Sequence, residues 1–479
     1  MPPLVSACEV RELPARTEWL RVVGGLATRP GFWWLDSALE DARLGRFSFA
    51  GAEPWLILLT HGARATGEVR RARHPGDTLG RRVWLGDAFD ALRLSLLPAP
   101  APDEPALPVP FAGGLVVALA YELGAPGAHR ALGLPDASAL GVDRLYAVDH
   151  LERRVHALAV GVGAGRASAR RRAEAAADAL ARDLPDGDPP RAPPARGATL
   201  AWDGFFDAEG YAKAVEEIRV RIAAGDVYQA CLTRRLEAPF PASAFALAGA
   251  LRARNPAPFA CLISLPDATL VGSSPERFLR VGPERWVESR PIKGTRPRAA
   301  DPEQDRRERA LLAGSAKDRA ENLMIVDLVR NDLGRVCEVG SVHVPELFAV
   351  ESFATVHQLV STVRGRLAHG RDALDAVRAA FPPGSMTGAP KLAAMALLAR
   401  LEPAPRGLYS GAVGYLDLRG GCDLAVVIRS VVLSGGRALV HAGGGIVTDS
   451  DPTAEWRETE WKAQALLDAV AESQAEGTP

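Results

Sequence analysis

The chain has 479 residues, enough for about two to four ordinary domains, and 47% of them are hydrophobic, which is ample for a sizeable core. Its 57 basic and 58 acidic residues leave a net charge of -1, so nothing in the composition favours binding to nucleic acid or an anionic membrane. The longest apolar run, residues 111–120, is too short to span a bilayer, and the N-terminus lacks the pattern of a secretory signal.

Short β-like runs alternate with loops in the first part of the chain. They lie at residues 55–59, 115–119, 144–149 and 155–160. A segment rich in Ala and Arg follows at residues 164–184 and has helical character. These signals indicate a mixed region of strands and loops that ends in a helix.

A Pro/Gly-rich break then separates the chain into two parts. Residues 185–197 hold too much proline and glycine for a helix or a strand. We therefore predict an N-terminal region (1–184), a linker (185–203) and a C-terminal domain (204–473).

Secondary-structure signals are stronger after the break. Asp207 is suited to cap a helix with Tyr211, Val215 and Ile218 on one face, ending at Gly225. Strands are predicted at residues 227–232, 261–265, 411–416, 424–433 and 438–441. Long helices are predicted at residues 302–313, 317–331 and 453–471. Strands outnumber simple β-α-β units, which favours an α+β fold of stacked β-sheets flanked by helices.

Five cysteines are scattered along the chain, with neither Cys-x-x-Cys nor zinc-ligand spacing. They are Cys8, Cys231, Cys261, Cys337 and Cys422. An odd number of cysteines without paired spacing is typical of a reduced protein. Together with the composition, this predicts a cytoplasmic location.

The run Pro291-Ile-Lys-Gly-Thr-Arg296 places a primary amine beside glycine and threonine at a predicted strand end. Glycine lets a ligand approach the backbone, and threonine offers an N–H and an O–H to an anion. A lysine is nucleophilic only in its neutral form, which burial or nearby cations such as Arg298 favour. The run predicts a nucleophilic Lys293; the alternative is a surface lysine in a basic turn.

Two pairs of carboxylates have the i, i+3 spacing that puts both side chains on one helix face. Asp318 and Glu321 form one pair, and Glu455 and Glu458 form the other, after a capping Asp-Pro at 451–452. If the two faces meet, their oxygens suit Mg²⁺, which binds carboxylates, waters and substrate oxygen. The alternative is two solvated faces, since Lys462 lies four residues after Glu458.

A set of possible anion-binding groups lies nearby. Gly443–Gly445 end a β-run and could present successive backbone N–H groups to a carboxylate, or form a hairpin turn. Arg429 lies within an apolar strand pattern, where a cation needs an anionic ligand or an internal salt bridge. Tyr409 could contribute its phenol to the same ligand.

In their order and spacing, these segments resemble the chorismate-utilising enzymes. The resemblance extends from Leu35 to Glu458 and is dense after residue 205. The motifs that carry it are AGDVYQ (224–229), SPERF (274–278), PIKGTR (291–296), KDRAENLM (317–324), VDLVRND (326–332), FPPGSMTGAPK (381–391) and GGGIVTDSDP (443–452).

Two positions separate the reactions within this family. Enzymes of the anthranilate synthase type have alanine at the position of Lys293, whereas aminodeoxychorismate enzymes have lysine. Isochorismate and salicylate synthases have a water-activating lysine at the position of Gln229, and glutamine cannot be that base. The resemblance therefore implies an aminotransferase that converts chorismate to 4-amino-4-deoxychorismate, the precursor of p-aminobenzoate and folate.

The resemblance also implies two catalytic residues. Lys293 would attack C2 of chorismate as the 4-hydroxyl leaves, and ammonia would then add at C4 and expel the lysine. Glu276 would donate the proton to the departing hydroxyl, which requires a site that raises its pKa. The structural alternative for Glu276 is a pairing with Arg277.

The implied ligand contacts involve the remaining motif residues. Mg²⁺ would hold the ring carboxylate against Glu321 and Glu458, with Asp318 and Glu455 acting through waters. The residues implied in substrate binding are Gly294, Thr295, Ser385, Tyr409, Arg429, Gly443, Gly444 and Gly445.

A second pocket is suggested by segments that match a tryptophan site in relatives, where tryptophan is an inhibitor or a structural ligand. The residues are Ser37, Leu44, Gly45, Arg46, Phe47, Pro258, Phe259 and Ala260. The alternative is ordinary packing between the two halves of the chain.

Three positions depart from the pattern of the family. Cys231 and Pro383 stand where many relatives have asparagine and glycine. Gln358 occupies the place of the active-site histidine of anthranilate synthases, and His357 lies one residue before it. We therefore assign His357 no catalytic role.

The source of ammonia points to a partner. No cysteine lies in a Gly-x-Cys-x-Gly elbow, so the sequence predicts a separate glutamine amidotransferase subunit. Two alternatives remain for the chain itself. It could make anthranilate, which Lys293 argues against, or be a non-catalytic subunit that binds tryptophan or chorismate, which the retained Glu276 and carboxylate pairs argue against.

Overall fold

Two antiparallel sheets of twelve strands each form the body of the protein. The computed structural model describes residues 4–39, 43–74, 76–100, 104–124, 133–191, 200–353 and 356–474. The first ten strands are β1 Val5–Glu12, β2 Trp33–Asp36, β3 Phe47–Gly51, β4 Leu56–His61, β5 Arg64–Val69, β6 Gly80–Leu85, β7 Gly114–Leu119, β8 Ala137–Val142, β9 Arg144–Asp149 and β10 Arg154–Gly163. The others are β11 Asp203–Gly204, β12 Gln229–Pro239, β13 Phe259–Ser264, β14 Thr269–Ser274, β15 Arg277–Val281, β16 Trp286–Ser289, β17 Ile292–Pro297, β18 His343–Ser352, β19 Val356–Arg366, β20 Gly388–Ala389, β21 Ala412–Asp417, β22 Cys422–Val426, β23 Ser430–Ser434 and β24 Arg437–Ile446.

Helices flank both sheets. They are α1 Trp19–Leu26, α2 Ala88–Ser95, α3 Arg166–Arg182, α4 Ala208–Ala223, α5 Ala244–Arg254, α6 Pro302–Gly314, α7 Ala316–Gly334, α8 Ala373–Ala380, α9 Lys391–Leu401 and α10 Pro452–Ser473, with short 3-10 helices at Tyr121–Gly124 and Gly384–Met386. Helices α3, α5 and α10 pack on the first sheet, and α6 and α7 pack on the second. None of the helices in the described ranges has the length and apolarity needed to cross a membrane.

Each sheet contains strands from both halves of the chain. The first has the order β1-β10-β9-β3-β2-β13-β14-β23-β24-β12-β11, with β20 also paired to β12. The second has the order β17-β19-β16-β15-β22-β21-β7-β8-β4-β5-β6, with β18 also paired to β19. The halves meet where Leu35 of β2 pairs with Cys261 of β13 and where Val117 of β7 pairs with Gly414 of β21. The boundary at 185–203 therefore separates chain segments that are hydrogen-bonded together in both sheets.

The core lies between the inner faces of the two sheets. Phe49 of the first sheet makes an edge contact with Tyr415 of the second at a ring-centroid distance of 5.7 Å, and Phe111 stacks on Tyr415 at 4.6 Å. Strand β7 is buried along its whole length, which explains its uniformly apolar sequence. The predicted α+β arrangement of stacked sheets flanked by helices is confirmed.

The strongest helix signals in the sequence mark true helices. Asp207 caps α4 by accepting a hydrogen bond from Gly210 N, and Tyr211, Val215 and Ile218 are buried. Asp451 caps α10 in the same way through Ala454 N, with Pro452 in the first turn. The predicted helices at 302–313, 317–331 and 453–471 correspond to α6, α7 and α10.

The predicted strand at residues 424–433 is wrong, because the structure has two strands there in different sheets. β22 belongs to the second sheet, β23 belongs to the first, and residues 427–429 cross between them. Arg429 has φ of +52°, a conformation that ends a strand. Both strands and the crossover are largely buried, so the apolar run continues through the break and hides it.

The first part of the predicted linker packs against the N-terminal helix. Gly187 N donates a hydrogen bond to Arg21 O at 3.0 Å, and a Cβ on Gly24 would collide with Asp188 O. Residues 192–199 of the linker lie outside the described residues. All five cysteines are buried and unpaired, as their spacing predicted.

Candidate active site

One cavity of about 400 Å³ collects every residue that the sequence assigned to catalysis, substrate or metal. Its volume lies in the range typical of small-molecule sites. The predicted residues that line it are Glu276, Lys293, Gly294, Thr295, Asp318, Glu321, Ser385, Tyr409, Arg429, Gly443, Gly444, Gly445, Glu455 and Glu458. They come from β17, β24, the first two turns of α7 and α10, the 3-10 helix Gly384–Met386, and the loops before β15, β21 and β23.

Lys293 lies at an irregularity in β17. The pairing of β17 with β19 shifts register between Ile292 and Thr295, which is the kind of bulge that redirects a side chain. Gly294 has φ of +91°, and a Cβ there would lie 2.9 Å from the side chain of Asp318. Lys293 Nζ donates to Ser385 O at 3.3 Å. The Lys-Gly pair therefore turns the amine into the cavity.

Glu276 is the second buried group at this point of the cavity. Its side chain is only 5% exposed, and burial raises its pKa to about 7, although the Ser385 hydroxyl and the charge of Lys293 act in the opposite direction. Arg277 does not pair with it; that guanidinium binds Asp423 at 2.9 Å and Glu288 at 3.0 Å. Glu276 is thus a carboxylic acid that holds a proton near neutral pH.

The carboxylates of α7 and α10 line the same cavity from two helices. Burial raises the pKa of Glu321. The charges of Lys293 and Lys317 act in the opposite direction, and those of Asp318 and Glu458 raise it further. Burial alone would raise the pKa of Glu458, but the Lys462 ammonium, 2.5 Å from its Oε1, brings it below its usual value. Glu455 accepts a hydrogen bond from Ser450 Oγ at 2.7 Å.

The carboxylate oxygens of α7 and α10 supply the negative charge that a divalent cation needs, but they do not form a complete set of metal ligands. Among the described residues, no three His, Cys, Asp or Glu side chains are close enough together to hold a metal on their own. Mg²⁺ needs only about one or two carboxylates, since it keeps several waters and binds substrate oxygen. The charge of Glu458 raises the pKa of Glu321, and a bound cation would offset that repulsion.

Another part of the cavity wall, next to Lys462, is suited to an anion. Arg429 is largely enclosed, burial lowers its pKa, and no described carboxylate lies within salt-bridge distance of it. Its Nη1 donates to Lys462 O at 2.8 Å, and its guanidinium lies over the Trp461 ring. A buried guanidinium without a carboxylate favours an anionic ligand. Tyr409 is buried beside it, and burial raises the pKa of its phenol.

The three glycines lie in a strand and not in a hairpin turn. Gly443, Gly444 and Gly445 pair with Thr233, Leu232 and Cys231 of β12, while β23 pairs with β24 only as far as Val440. In a strand, alternate N–H groups point to the same side, so the glycines cannot offer successive N–H groups to one anion. A Cβ on Gly444 would lie 2.8 Å from Glu455 Oε2, which explains the glycine there.

Neighbouring residues on β19 point in opposite directions, as strand geometry requires. Gln358 lines the cavity, and its Oε1 has no hydrogen-bond partner. His357 faces away; its ring binds Asp305 Oδ1 at 3.0 Å and Ser352 Oγ at 2.8 Å. Gln358 therefore lines the candidate site, whereas His357 does not.

Several lining residues have no role assigned from the sequence, among them the polar or aromatic Lys317, His441, Trp461 and Lys462. Burial lowers the pKa of His441 to about 3, its Nε2 has no partner, and its ring stacks on Tyr409 at 4.8 Å. Lys462 was noted only as a neighbour of Glu458. Its spacing of four residues from Glu458 was the available signal, and His441 had none beyond its place in the strand.

A second cavity, of about 270 Å³, lies between the two halves of the chain. Of the residues predicted for a tryptophan pocket, the structure brings seven to its wall: Ser37, Leu44, Arg46, Phe47, Pro258, Phe259 and Ala260. Gly45 is not among the lining residues. Ser37 Oγ donates to Phe47 O at 2.8 Å and to Pro258 O at 3.2 Å, so it joins the two walls. The pocket therefore exists, and ordinary packing does not fill it.

Comparison with known proteins agrees with this geometry. Residues 61–468 match the family described as chorismate binding enzyme. The chain is 44% identical to an aminodeoxychorismate synthase of Streptomyces pristinaespiralis, over 94% of this chain and 63% of that one. It is 38% identical to aminodeoxychorismate synthase component 1 of Klebsiella aerogenes, over 92% of this chain and 94% of the other. Anthranilate synthase component I from Streptococcus pneumoniae superposes with a TM-score of 0.74 at 28% identity, over 90% and 93% of the two chains.

The chain belongs to the family of chorismate binding enzymes. The family match covers most of the sequence, and the Klebsiella relative is matched over nearly its whole length. The predicted chorismate-utilising fold is confirmed. The chain spans less than two thirds of the length of the Streptomyces relative, so that protein contains sequence beyond the matched part.

Proposed function

We propose that this protein aminates chorismate at C4, as component I of an aminodeoxychorismate synthase, and forms 4-amino-4-deoxychorismate for p-aminobenzoate and folate synthesis. The observation that carries the proposal is the pairing of Lys293 with Glu276. Ser385 links them, since its carbonyl accepts from Lys293 Nζ and its hydroxyl binds the Glu276 carboxyl. A primary amine and a protonated acid in one buried site are the two groups that the reaction needs.

The proposed reaction replaces one displacement with two. Lys293 Nζ attacks C2 of chorismate, both ring double bonds shift by one position, and the C4–O bond breaks as Glu276 protonates the oxygen to give water. Ammonia then adds at C4, both double bonds shift back, and the C2–N bond to Lys293 breaks. The Glu276 carboxylate accepts a proton from the incoming ammonia, which restores the acid. The pKa of Glu276, about 7, suits both the donation and the recovery of a proton.

We propose that Glu321 and Glu458 hold Mg²⁺, and that Asp318 and Glu455 act through bound waters. The cation would supply positive charge for the ring carboxylate of chorismate. Glu321 and Glu458 line the same cavity from two helices, and Ser450 engages one oxygen of Glu455. These contacts support the division of roles.

We propose that the wall around Arg429 receives a substrate carboxylate. Arg429 supplies the charge and Tyr409 a hydroxyl, while Thr295 and the backbone at Gly443–Gly445 line the wall. A buried guanidinium offers strong, directional hydrogen bonds to a carboxylate. Gly294 and Ser385 complete the surface around Lys293.

The second candidate function is that of anthranilate synthase component I. The superposition on the Streptococcus enzyme favours it, since the two folds are closely similar. Lys293 favours amination without loss of pyruvate. Anthranilate synthases have alanine at this position, so their reaction does not use a nucleophilic amine there. Gln358 favours the same choice, since the amide cannot exchange a proton as a histidine can.

A partner follows from the nitrogen source. We propose that a separate glutamine amidotransferase supplies ammonia. The Klebsiella relative is named a component 1, which supports a two-component system.

We also propose that the second cavity binds tryptophan. The support is the aromatic wall of Phe47 and Phe49, with Asp36 and Arg46 nearby.

The test is a product assay with the purified chain, chorismate, Mg²⁺ and an ammonium salt. Aminodeoxychorismate should form without any glutaminase, and turnover with glutamine alone should require an added amidotransferase. Anthranilate and pyruvate as products would establish the second candidate instead. Efficient turnover with glutamine by this chain alone would contradict the two-component scheme.

A further inference from the structure

A lysine contacts one of the proposed metal ligands. Lys462 Nζ lies 2.5 Å from Glu458 Oε1 and donates to Gly443 O at 2.8 Å. One of these oxygens belongs to a proposed metal ligand, and the other to the glycine strand on the cavity wall. An ammonium between a carboxylate and a carbonyl oxygen has the ligands of a hard cation.

We propose that Lys462 is a tethered cation that competes with Mg²⁺ for Glu458 and so keeps the affinity for Mg²⁺ low in the absence of substrate. The inference rests on the magnesium site proposed above. Mg²⁺ can bind Glu458 fully only if the ammonium leaves Oε1 or shares the carboxylate with the metal. In either case two positive charges lie close together, which opposes binding.

The surroundings of Lys462 explain why its ammonium stays at this place. Its side chain is 30% exposed, and its backbone carbonyl accepts from Arg429 Nη1 at 2.8 Å, which fixes this turn of α10 next to the anion-binding residue. The spacing of four residues from Glu458 puts both side chains on the same helix face. The Lys462 ammonium can therefore contact the Glu458 carboxylate and the Gly443 carbonyl oxygen at the same time.

Lys317 on α7 is a matched control. It also lies four residues from a proposed metal ligand, Glu321, and it lines the same cavity. Its Nζ is 4.0 Å from Glu321 Oε1, its side chain is 61% exposed, and no described carbonyl accepts from it. Its charge is similar, but its ammonium does not occupy a ligand position.

The role of substrate follows from the same charges. A chorismate carboxylate entering the cavity adds a negative charge and an oxygen ligand, which offsets the repulsion between Lys462 and Mg²⁺. Binding of Mg²⁺ and of chorismate should therefore be mutually favourable, and Lys462 should account for part of that coupling. The lysine is a positioning residue, since it acts through Glu458 and the metal.

The test is the titration of metal-stripped protein with Mg²⁺ by calorimetry, without chorismate or ammonia. Lys462→Met should bind Mg²⁺ about tenfold more tightly than the wild type, and Lys317→Met should change the affinity less than about threefold. Methionine retains most of the side-chain volume and removes the charge. Unchanged or weaker affinity in Lys462→Met, or no binding at all, would overturn the proposal.

Thermal unfolding gives a second readout that an ordinary salt bridge would not produce. Without metal, Lys462→Met should unfold at a lower temperature than the wild type, because the clustered carboxylates lose a counter-charge. With Mg²⁺ near the dissociation constant of the variant, its Tm should rise by more than that of the wild type. An equal Tm loss with and without Mg²⁺ would show a structural salt bridge only. Both readouts are independent of the amination assay, so failure of that assay alone would leave this result standing.

Discussion

Glu276 and Arg429 lie on two adjacent crossovers between the sheets. Glu276 lies between β14 and β15, and Arg429 lies between β22 and β23. The two crossovers are held side by side, since Val426 N donates to Glu276 O and Ser273 N donates to Arg429 O, both at 3.0 Å. The proposed acid and the proposed anion-binding cation are therefore fixed to each other by backbone contacts on both sides.

The first prediction concerns the pH dependence of Glu276. Its acid form should be the active one, so the amination rate at constant free ammonia should fall as pH rises through about 7. Glu276→Gln should lower kcat by about a hundredfold or more and remove this decline, because the amide does not ionise. The measurement is kcat against pH from 5.5 to about 9 in both proteins. A decline of the same shape in the variant would assign it to another group.

The same burial should also affect stability. The folded pKa of about 7 lies above the usual 4.5, so the folded state binds the proton more tightly, and stability is lost as pH rises from about 4.5 through about 7. The loss amounts to about 3 kcal/mol. The Tm difference between Glu276→Gln and the wild type should therefore shift in favour of the variant when the pH is raised from 5 to 8. A constant difference between the two proteins would contradict the shifted pKa.

The second prediction concerns the proposed magnesium ligands. Glu321→Gln and Glu458→Gln should each lower activity more than about a hundredfold, because each removes a charged oxygen while keeping the side-chain shape. Asp318→Asn and Glu455→Gln should cost about tenfold, as expected for groups that act through water. Activity and Mg²⁺ affinity should be measured together, with circular dichroism to verify folding. Equal activity in all four variants would mean that the carboxylates are only solvated helix faces.

The third prediction concerns the cavity between the halves. The purified wild type should bind tryptophan, and Ala260→Phe should weaken binding by about tenfold or more, because the ring fills part of the cavity. Ala208→Phe, at the exposed start of α4, is a control that adds the same ring elsewhere. Calorimetry with tryptophan measures both variants. Equal affinity in all three proteins would place the ligand elsewhere, and no binding by the wild type would refute the tryptophan pocket.

The sequence predicts the residues of the candidate site better than it predicts which strands belong to which sheet. Motifs constrain residues that touch the same ligand, so Lys293, Glu276 and both carboxylate pairs were assigned to one site before any contact was known. The crossover at Arg429 was missed because its apolar neighbours are buried in two different sheets, and hydropathy does not report which one. Likewise, the three glycines predict successive N–H groups for an anion, with a hairpin turn as the alternative, whereas they lie in a strand and Gly444 allows Glu455 of α10 to approach it.

Long-range pairing was the other feature that the sequence could not supply. A Pro/Gly-rich segment predicts a break in secondary structure, but it does not tell whether the strands on either side pair with each other. In this fold Leu35 pairs with Cys261, so residues on both sides of the break form one sheet. Lys462 illustrates the same difficulty at the site, since its spacing explains the contact with Glu458 but not the contact with Gly443.

The last prediction separates nucleophilic catalysis by Lys293 from every other chemistry of chorismate. With chorismate and Mg²⁺ but no ammonia, the covalent adduct should accumulate, because its proposed acceptor is missing. The intact-protein mass should rise by that of chorismate less one water, and peptide mapping should locate the addition on Lys293. Added ammonium should then remove the adduct and release aminodeoxychorismate in equal amount.

Substitutions at the same position provide the controls. Lys293→Arg should form no adduct, because the guanidinium remains protonated and is a poor nucleophile. Lys293→Ala should also form none, yet it should still bind chorismate, since Arg429 and Tyr409 line the same cavity and are unchanged. Amination by Lys293→Ala at the wild-type rate would exclude a nucleophilic role for this lysine. An adduct on a different residue would move the nucleophile while keeping the two-step reaction.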